Sequence, residues 1–166
     1  MTHRHTQQGG FSLIEVLVTI VILSTGMLGI AALYVESLKS GHTALARTKA
    51  INLAADMADR IRVNRAGEEF YVTNAVNAPA APAIRCGASQ GINAVDCTAQ
   101  EMAAYDVWQW KTALGNTDTT DAKKAGLANA QGSITRNAAT NPTTMTILVQ
   151  WSEKDRVQEY ELSFAL

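Results

Sequence analysis

The residue whose position most clearly demands a chemical explanation is Glu15, an acidic side chain at the start of a long apolar run. Residues 16–35 contain no charged side chain. About twenty helical residues rise about 30 Å, the thickness of a bilayer's hydrocarbon core. An ionised carboxylate at membrane depth is costly and needs a cationic partner. We therefore expect Glu15 to take part in a functional charge pair.

Other residues that could support catalysis do not form a recognisable site. The histidines are His3 and His5, before the apolar run, and His42, after it. A metal cluster or nucleophile–base pair would have to rely on His42 alone. Glu159 and Glu161 stand two residues apart, a spacing more typical of the solvated face of a strand than of a paired-acid site. We expect no enzymatic activity, metal or cofactor.

An aromatic group in the second half of the chain allows two interpretations. Tyr105, Trp108 and Trp110 lie close together in a chain with only 6% aromatic residues. They could stack on a ligand, but the simpler interpretation is that they dock a helix onto a sheet.

Length and charge restrict the architecture and the partners. The chain has 166 residues, enough for one domain beside a membrane segment, and its formal net charge is -1. A nucleic-acid surface normally shows as a clustered basic excess. Lys123 and Lys124 are too few to supply one, so we expect no nucleic-acid partner.

A helical pattern continues beyond the apolar run. Asp56 and Arg60 stand four residues apart in the order that favours an ion pair on a helix. One helix is predicted over residues 12–64, with Gly67 as its terminator. Apolar residues recur on one stripe of this helix, at Leu38, Leu45, Ala46, Ala50, Leu53, Ala54, Met57, Ala58 and Ile61.

The second half of the chain predicts a short helix followed by a sheet. Thr98 and Glu101 match a capping box, and an apolar face carries the helix to Leu114, with Gly115 as the stop. Alternating apolar residues predict strands over residues 133–136, 144–151 and 159–166, the last two joined by a turn at 153–155. The remaining predictions are a loop over 68–97, with an extended piece at 71–72, and a connection over 116–130, with a helical turn near 122–127. We expect the sheet to be antiparallel and to pack on the stripe of the long helix.

The residues around Glu15 carry a family resemblance. A short basic leader that ends in glycine, then Phe11, then glutamate at the fifth position, then the apolar run, closely resembles the class III signal of type IV pilins and type II secretion pseudopilins. The resemblance implies that a prepilin peptidase cuts after Gly10 and methylates the new terminal amine of Phe11. It also implies that Glu15 pairs with the terminal amine of a neighbouring subunit during fibre assembly.

Two other interpretations of the amino terminus remain open at this point. A conventional secretory signal also has a basic start and an apolar core, and Ala31 and Ala32 supply small residues for its cleavage. A plain single-span anchor is the other. Neither explains Glu15 or the glycine pair before the apolar run, so the sequence favours pilin-type processing.

The two cysteines, Cys86 and Cys97, lie beyond the membrane segment. The leader resemblance implies that this part of the chain faces an oxidising compartment, the periplasm, where the two thiols should pair. Such a bond would stabilise the fold by roughly 3 kcal/mol in the chain-entropy model. In a reducing cytosol they would remain free thiols.

Three stretches narrow the resemblance to PilV-type minor pilins, namely residues 22–29, 56–64 and 103–110. The implied fold is α+β, with a long N-terminal helix packed on a C-terminal antiparallel sheet of three or more strands. The implied parts are a leader that is removed, the transmembrane half of the helix, its amphipathic half and a globular head, at residues 1–10, 11–35, 36–66 and 67–166.

The resemblance also implies a function. A minor pilin of this type helps to initiate type IV pilus assembly and so supports surface attachment and twitching motility. Its expected partners are other minor pilins, the major pilin, the prepilin peptidase, the inner membrane and a tip adhesin. It would be a single-pass inner-membrane protein with a periplasmic head before it enters the surface pilus. Two alternatives stay open, a minor pseudopilin of type II secretion and a membrane-anchored module that binds a ligand or DNA.

Overall fold

A single long helix, α1 (Leu13–Val63), forms the first part of the molecule. The computed structural model describes residues 12–74, 79–86, 96–115, 126–153 and 156–166. The chain divides into two compact units between His42 and Thr43, so α1 contributes to both. The predicted helix over residues 12–64 is confirmed to within one residue at each end.

The first unit exposes its apolar side chains. Leu17, Ile22 and Leu33 are each more than half exposed, as are most of their apolar neighbours in this part of α1. Of the helices in the described ranges, α1 is long and apolar enough to cross a membrane. Side chains that are apolar on every side suit lipid better than water.

The second unit buries one stripe of α1 in its core. Five residues of this stripe are fully buried, namely Ala50, Ala54, Met57, Ala58 and Ile61. The predicted stripe is wrong at its beginning, because Leu38 is 50% and Leu45 is 52% exposed. Helical spacing of apolar residues is the same whether a face meets a core or continues a membrane segment, so periodicity alone could not locate this boundary.

A 3-10 helix (Arg65–Tyr71) follows α1 directly, where the sequence predicted a loop from residue 68. Gly67 is not a left-handed terminator but part of this 3-10 helix. A Cβ atom at Gly67 would lie 2.6 Å from the carbonyl oxygen of Ala99. Glycine therefore permits close approach to the next helix. The predicted extended piece lies one residue later, where Thr73 forms an isolated bridge to Ile134.

Helix α2 (Ala99–Leu114) has the caps that its sequence predicts. The Glu101 backbone N–H donates to the Thr98 hydroxyl (3.3 Å), and the Thr98 backbone N–H donates to the Glu101 carboxylate (2.8 Å). The Thr98 hydroxyl also donates to that carboxylate (2.8 Å), and the hydrogen bonds from the backbone and the side chain of Thr98 hold the pKa of Glu101 below its ordinary value. Gly115 ends the helix in the left-handed conformation, with φ of 88°.

Three antiparallel strands form the sheet, in the order β1 (Gln131–Asn137), β2 (Thr144–Glu153) and β3 (Arg156–Ala165). The predicted α+β fold is confirmed. The alternating residues of β2 that face the core are all buried, namely Met145, Ile147, Val149 and Trp151. Residues 154–155 of the predicted turn and residues 116–125 of the predicted connection lie outside the described residues.

Trp110 anchors α2 in the core, as the aromatic grouping predicted. Its side chain is 1% exposed, and its indole N–H donates to the carbonyl oxygen of Leu53 on α1 (2.9 Å). Trp108 lies partly exposed instead, next to the ring of Tyr105 and the guanidinium of Arg85. Gly132 on β1 leaves the space that the Trp110 ring fills, because a Cβ atom there would lie 2.3 Å from the ring.

We expect Gly132→Ala to destabilise the protein by about 1–3 kcal/mol, because the added methyl overpacks the Trp110 ring. Chemical denaturation of the full chain in detergent measures this change. Gly41→Ala is the control, since nothing lies within 4 Å of a Cβ atom on that helical glycine. The control should be neutral or slightly stabilising, and an equally stable Gly132→Ala variant would contradict the packing account.

Candidate functional site

The predicted functional residue Glu15 lies in the first turn of α1. Its backbone N–H donates to the carbonyl oxygen of Ser12 (3.0 Å), which starts the helix. The side chain is exposed, and within the described ranges it forms no ion pair. The positive end of the helix dipole favours a carboxylate at this position. The predicted processing residues, Gly10 and Phe11, lie outside the described residues.

The surroundings of Glu15 are apolar and open. Leu13 is 83% exposed, and Ile14, Val16 and Leu17 are exposed beside it. If these side chains face lipid, water cannot solvate the carboxylate, and a cation from another molecule becomes the natural partner. The geometry therefore offers one acidic group on an otherwise apolar helix surface, accessible to a neighbouring chain.

The polar groups further along the apolar segment are satisfied by the helix itself. The hydroxyls of Thr19 and Ser24 donate to the carbonyl oxygens of Val16 and Val21, at 2.8 and 2.9 Å. Thr25 bonds to its own helix in the same way. Such internal hydrogen bonds remove the cost of placing hydroxyl groups in lipid. Glu15 differs from these residues because, within the described ranges, no ion pair balances the charge of its carboxylate.

A disulfide joins Cys86 to Cys97, with their Cα atoms 5.8 Å apart. The predicted pairing is confirmed. Cys97 precedes the N-cap of α2 by one residue, so the bond ties the segment before residue 86 to the start of that helix. Nothing in the described ranges offers three or more metal-ligating side chains in one group.

A buried polar network, which the sequence analysis did not identify, connects α1, the 3-10 helix and α2. Asp106 is 7% exposed and accepts hydrogen bonds from Arg60 (2.8 Å) and from the Tyr71 hydroxyl (2.7 Å). Arg60 also donates to Asp56 (3.0 Å) and to Gln109 (2.8 Å). The two hydrogen-bond donors to the Asp106 carboxylate therefore lie outside α2, one on α1 and one on the 3-10 helix.

The network alters the proton affinities of its members. Burial raises the pKa of Tyr71 above its ordinary value, and the hydrogen bond to Asp106 raises it further. Burial alone would lower the pKa of Arg60, but the hydrogen bond and charge of Asp106, with help from Asp56, raise it. Both shifts favour the protonated forms that the hydrogen bonds require.

A sequence signal for this network existed. Asp106 stands beside the apolar positions Ala103, Val107 and Trp110 on the predicted buried face of α2. A carboxylate on a buried face is expected to have a cationic or hydrogen-bonding partner. Only the tertiary structure identifies that partner as Arg60, because the two residues are far apart in the sequence.

Lys111 is a second buried charged residue on α2. Its side chain is 1% exposed, and its amine donates to the backbone carbonyl of Asn74. Burial lowers the pKa of this amine. The contact fastens the end of the 72–74 segment to α2, beside the bridge between Thr73 and Ile134.

Comparison with known families covers the amino-terminal two thirds of the chain. A family model described as the prokaryotic N-terminal methylation motif matches residues 5–31, which include Gly10, Phe11 and Glu15. A second family model, described as Type IV pilin Tt1218, matches residues 32–108. Searches of curated proteins and of solved structures each found no match.

We expect Asp106→Asn to destabilise the protein by about 2–3 kcal/mol. The substitution removes the charge that balances Arg60, and breaking a buried pair costs several kcal/mol, reduced here because the Arg60 side chain is 32% exposed. Denaturant titration provides the measurement. Asp59→Asn is the matched control, because it breaks only the exposed pair with Arg62 and should cost less than about 0.5 kcal/mol. Equal effects of the two variants would contradict this account.

The raised pKa of Tyr71 predicts a loss of stability in alkali. The folded state holds the phenol proton more tightly than the unfolded state, so this contribution is complete below the ordinary pKa of about 10 and declines as pH rises above it. Denaturation midpoints at about pH 9 and about pH 11 should therefore differ less in Tyr71→Phe than in the wild type. If the two midpoints differ by the same amount in the variant and in the wild type, Tyr71 is not a source of the stability lost in alkali.

Proposed function

We propose that this chain, which belongs to the type IV pilins, is a minor pilin that helps to initiate pilus assembly. In this role it supports surface attachment and twitching motility. The observation that carries the proposal is Glu15, a single acidic side chain on an exposed apolar helix inside a matched N-terminal methylation motif. The pilin family is structural, and we propose no catalytic step for this member.

Processing at the amino terminus prepares the chain for assembly in this proposal. The prepilin peptidase removes residues 1–10 by cutting after Gly10 and then methylates the amine of Phe11. Residues 11–35 form the transmembrane half of the helix, residues 36–66 its amphipathic half, and residues 67–166 the head. The N-terminal motif and the apolar helix fit a membrane-anchored pilin.

Assembly then depends on one charge pair between subunits. The Glu15 carboxylate of one subunit pairs with the Phe11 amine of its neighbour in a low-dielectric environment. In such an environment opposite charges attract each other strongly, provided that their remaining hydrogen-bonding groups also have partners, whereas an unpaired charge is costly. The pair therefore selects subunits that stand in the correct axial position. Other minor pilins and the major pilin are the proposed neighbours, with a tip adhesin as a further partner.

The proposed location is the inner membrane, with the head in the periplasm until the subunit enters the pilus. The disulfide between Cys86 and Cys97 supports this orientation, because disulfides persist in oxidising compartments. Abundant pilins of the family that the sequence resembles usually have their disulfide near the carboxyl terminus, so a disulfide before the sheet favours a minor subunit.

We expect a strain that lacks this protein to lose surface pili and keep normal protein secretion. The wild-type gene should restore piliation, whereas Glu15→Ala should not, because the variant lacks the carboxylate of the subunit pair. Electron microscopy counts the pili. Mass spectrometry of the mature terminus should find methylated Phe11 both in the strain with the wild-type gene and in the strain with Glu15→Ala, since the substitution leaves the cleavage site intact.

Glu36→Ala is the matched control for the assembly experiment. It removes the next carboxylate on the same helix, which forms an exposed pair with Lys39 at 3.7 Å. This variant should restore piliation. Normal pili with Glu15→Ala would refute the charge-pair mechanism, and loss of secretion with normal pili would favour a type II secretion pseudopilin. Tight binding of DNA or another ligand by the purified chain would instead favour a binding module.

A further inference from the structure

The two edges of the sheet differ in how they are protected. At the β1 edge, Thr73 exchanges two backbone hydrogen bonds with Ile134, at 3.0 and 2.8 Å. Arg136 on the same strand is held by Glu68 at 2.7 Å. The β3 edge has no strand partner among the described residues, although β3 pairs with β2 along its whole length without a bulge. Proline, bulges and charged side chains commonly protect such edges, and of these β3 has only the charged side chains of Arg156, Glu159 and Glu161.

The hydrogen-bond pattern identifies the backbone groups at the free edge. Since Ile134 directs its N–H and C=O groups to Thr73, its partner Ile147 directs its own groups to β3. Leu162, opposite Ile147, therefore bonds into the sheet. Alternation then turns the N–H and C=O groups of the odd-numbered residues outward, at Val157, Glu159, Glu161 and Ser163.

The side chains beside this edge define what could cover it. On the outer face, Glu159 and Glu161 are exposed, and their partners in the described ranges are the neutral groups Gln150 and Ser163, at 3.3 Å each. On the inner face, Tyr160 and Leu162 pack on the core while remaining partly exposed. Val157 is 70% exposed near the start of the strand. An added strand would meet carboxylates on one face and apolar groups on the other.

A second copy of this chain is a poor occupant for the edge. Pairing two β3 edges antiparallel brings Glu159 and Glu161 of one copy against the same carboxylates of the other. Like charges directly opposite each other destabilise a strand pair. The charge pattern instead suits a strand with lysine or arginine on its outer face and apolar residues on its inner face.

We propose that the free edge of β3 binds an extended segment of a neighbouring pilus subunit by strand addition. Backbone hydrogen bonds to the outward groups of Val157, Glu159, Glu161 and Ser163 hold the segment, and its basic side chains pair with the two glutamates. Only the source of the segment rests on the proposed function. The edge and its charge preference do not depend on it.

Amide hydrogen exchange on the full chain in detergent tests the edge directly. The probe is a short synthetic peptide that alternates lysine and valine, and the control peptide has glutamate in place of lysine. The lysine peptide should protect the amides of Glu159, Glu161 and Ser163, while those of Tyr160 and Leu162 are already protected by β2. Unchanged exchange at the odd-numbered amides would overturn the proposal.

Charge reversal tests the specificity of the edge. The double variant Glu159→Lys, Glu161→Lys should bind the lysine peptide at least about tenfold more weakly and prefer the glutamate peptide. The double variant Glu36→Lys, Glu69→Lys, an equal charge change at exposed positions outside the sheet, should bind as the wild type does. Equal affinity of the wild type for the two peptides, or dimerisation through the β3 edge, would refute the inference.

Backbone substitution gives an independent check. Glu161→Pro removes an outward N–H donor and no hydrogen bond to β2, so it should weaken peptide binding without unfolding the sheet. The charge-reversal variant decides the matter if the proline variant does not fold. Failure of these binding tests would leave the Glu15 assembly role standing, whereas normal piliation with Glu15→Ala would leave the edge site standing.

Discussion

The ion pair between Arg60 and Asp106 is the interaction on which the arrangement of the helices in the second unit depends. It joins α1 to α2 at 2.8 Å, and Tyr71 adds the 3-10 helix to the same carboxylate. A buried carboxylate without partners would be costly. Displacement of any one of the three elements would remove a partner from the Asp106 network and so destabilise the packing of the other two. The disulfide at Cys97 then restrains the start of α2.

Helix α1 meets two different environments along one continuous structure. Around Glu15 its apolar side chains are exposed on all sides, whereas from Ala50 onward one apolar stripe is buried and only Ile51 and Val63 are exposed large apolar residues. The small side chains of Ala50, Ala54 and Ala58 let other elements approach the helix closely. A single helix thereby supplies both a segment that is long and apolar enough to cross a membrane and part of a folded core.

The two faces of the sheet meet different surroundings, the core on one side and solvent on the other. Ile147 and Val149 complete the core, while Glu159 and Glu161 remain on the solvent side of β3. Thr73 forms a bridge at the β1 edge, whereas the β3 edge has no strand partner among the residues that the structure describes. The proposed assembly role thus has two distinct contacts, a charge pair at the amino terminus and a strand edge in the head.

Local signals in the sequence determined the elements themselves. The capping box at Thr98, the stop at Gly115 and the alternation around Ile147 depend only on neighbouring residues, so they could be predicted, as could the anomaly of Glu15. The tertiary structure alone decided which residues meet across the fold. That Arg60 balances Asp106, that Gly67 and Gly132 admit a carbonyl and an indole ring, and that the stripe leaves Leu38 and Leu45 exposed all depend on distances between remote segments, which local periodicity does not encode.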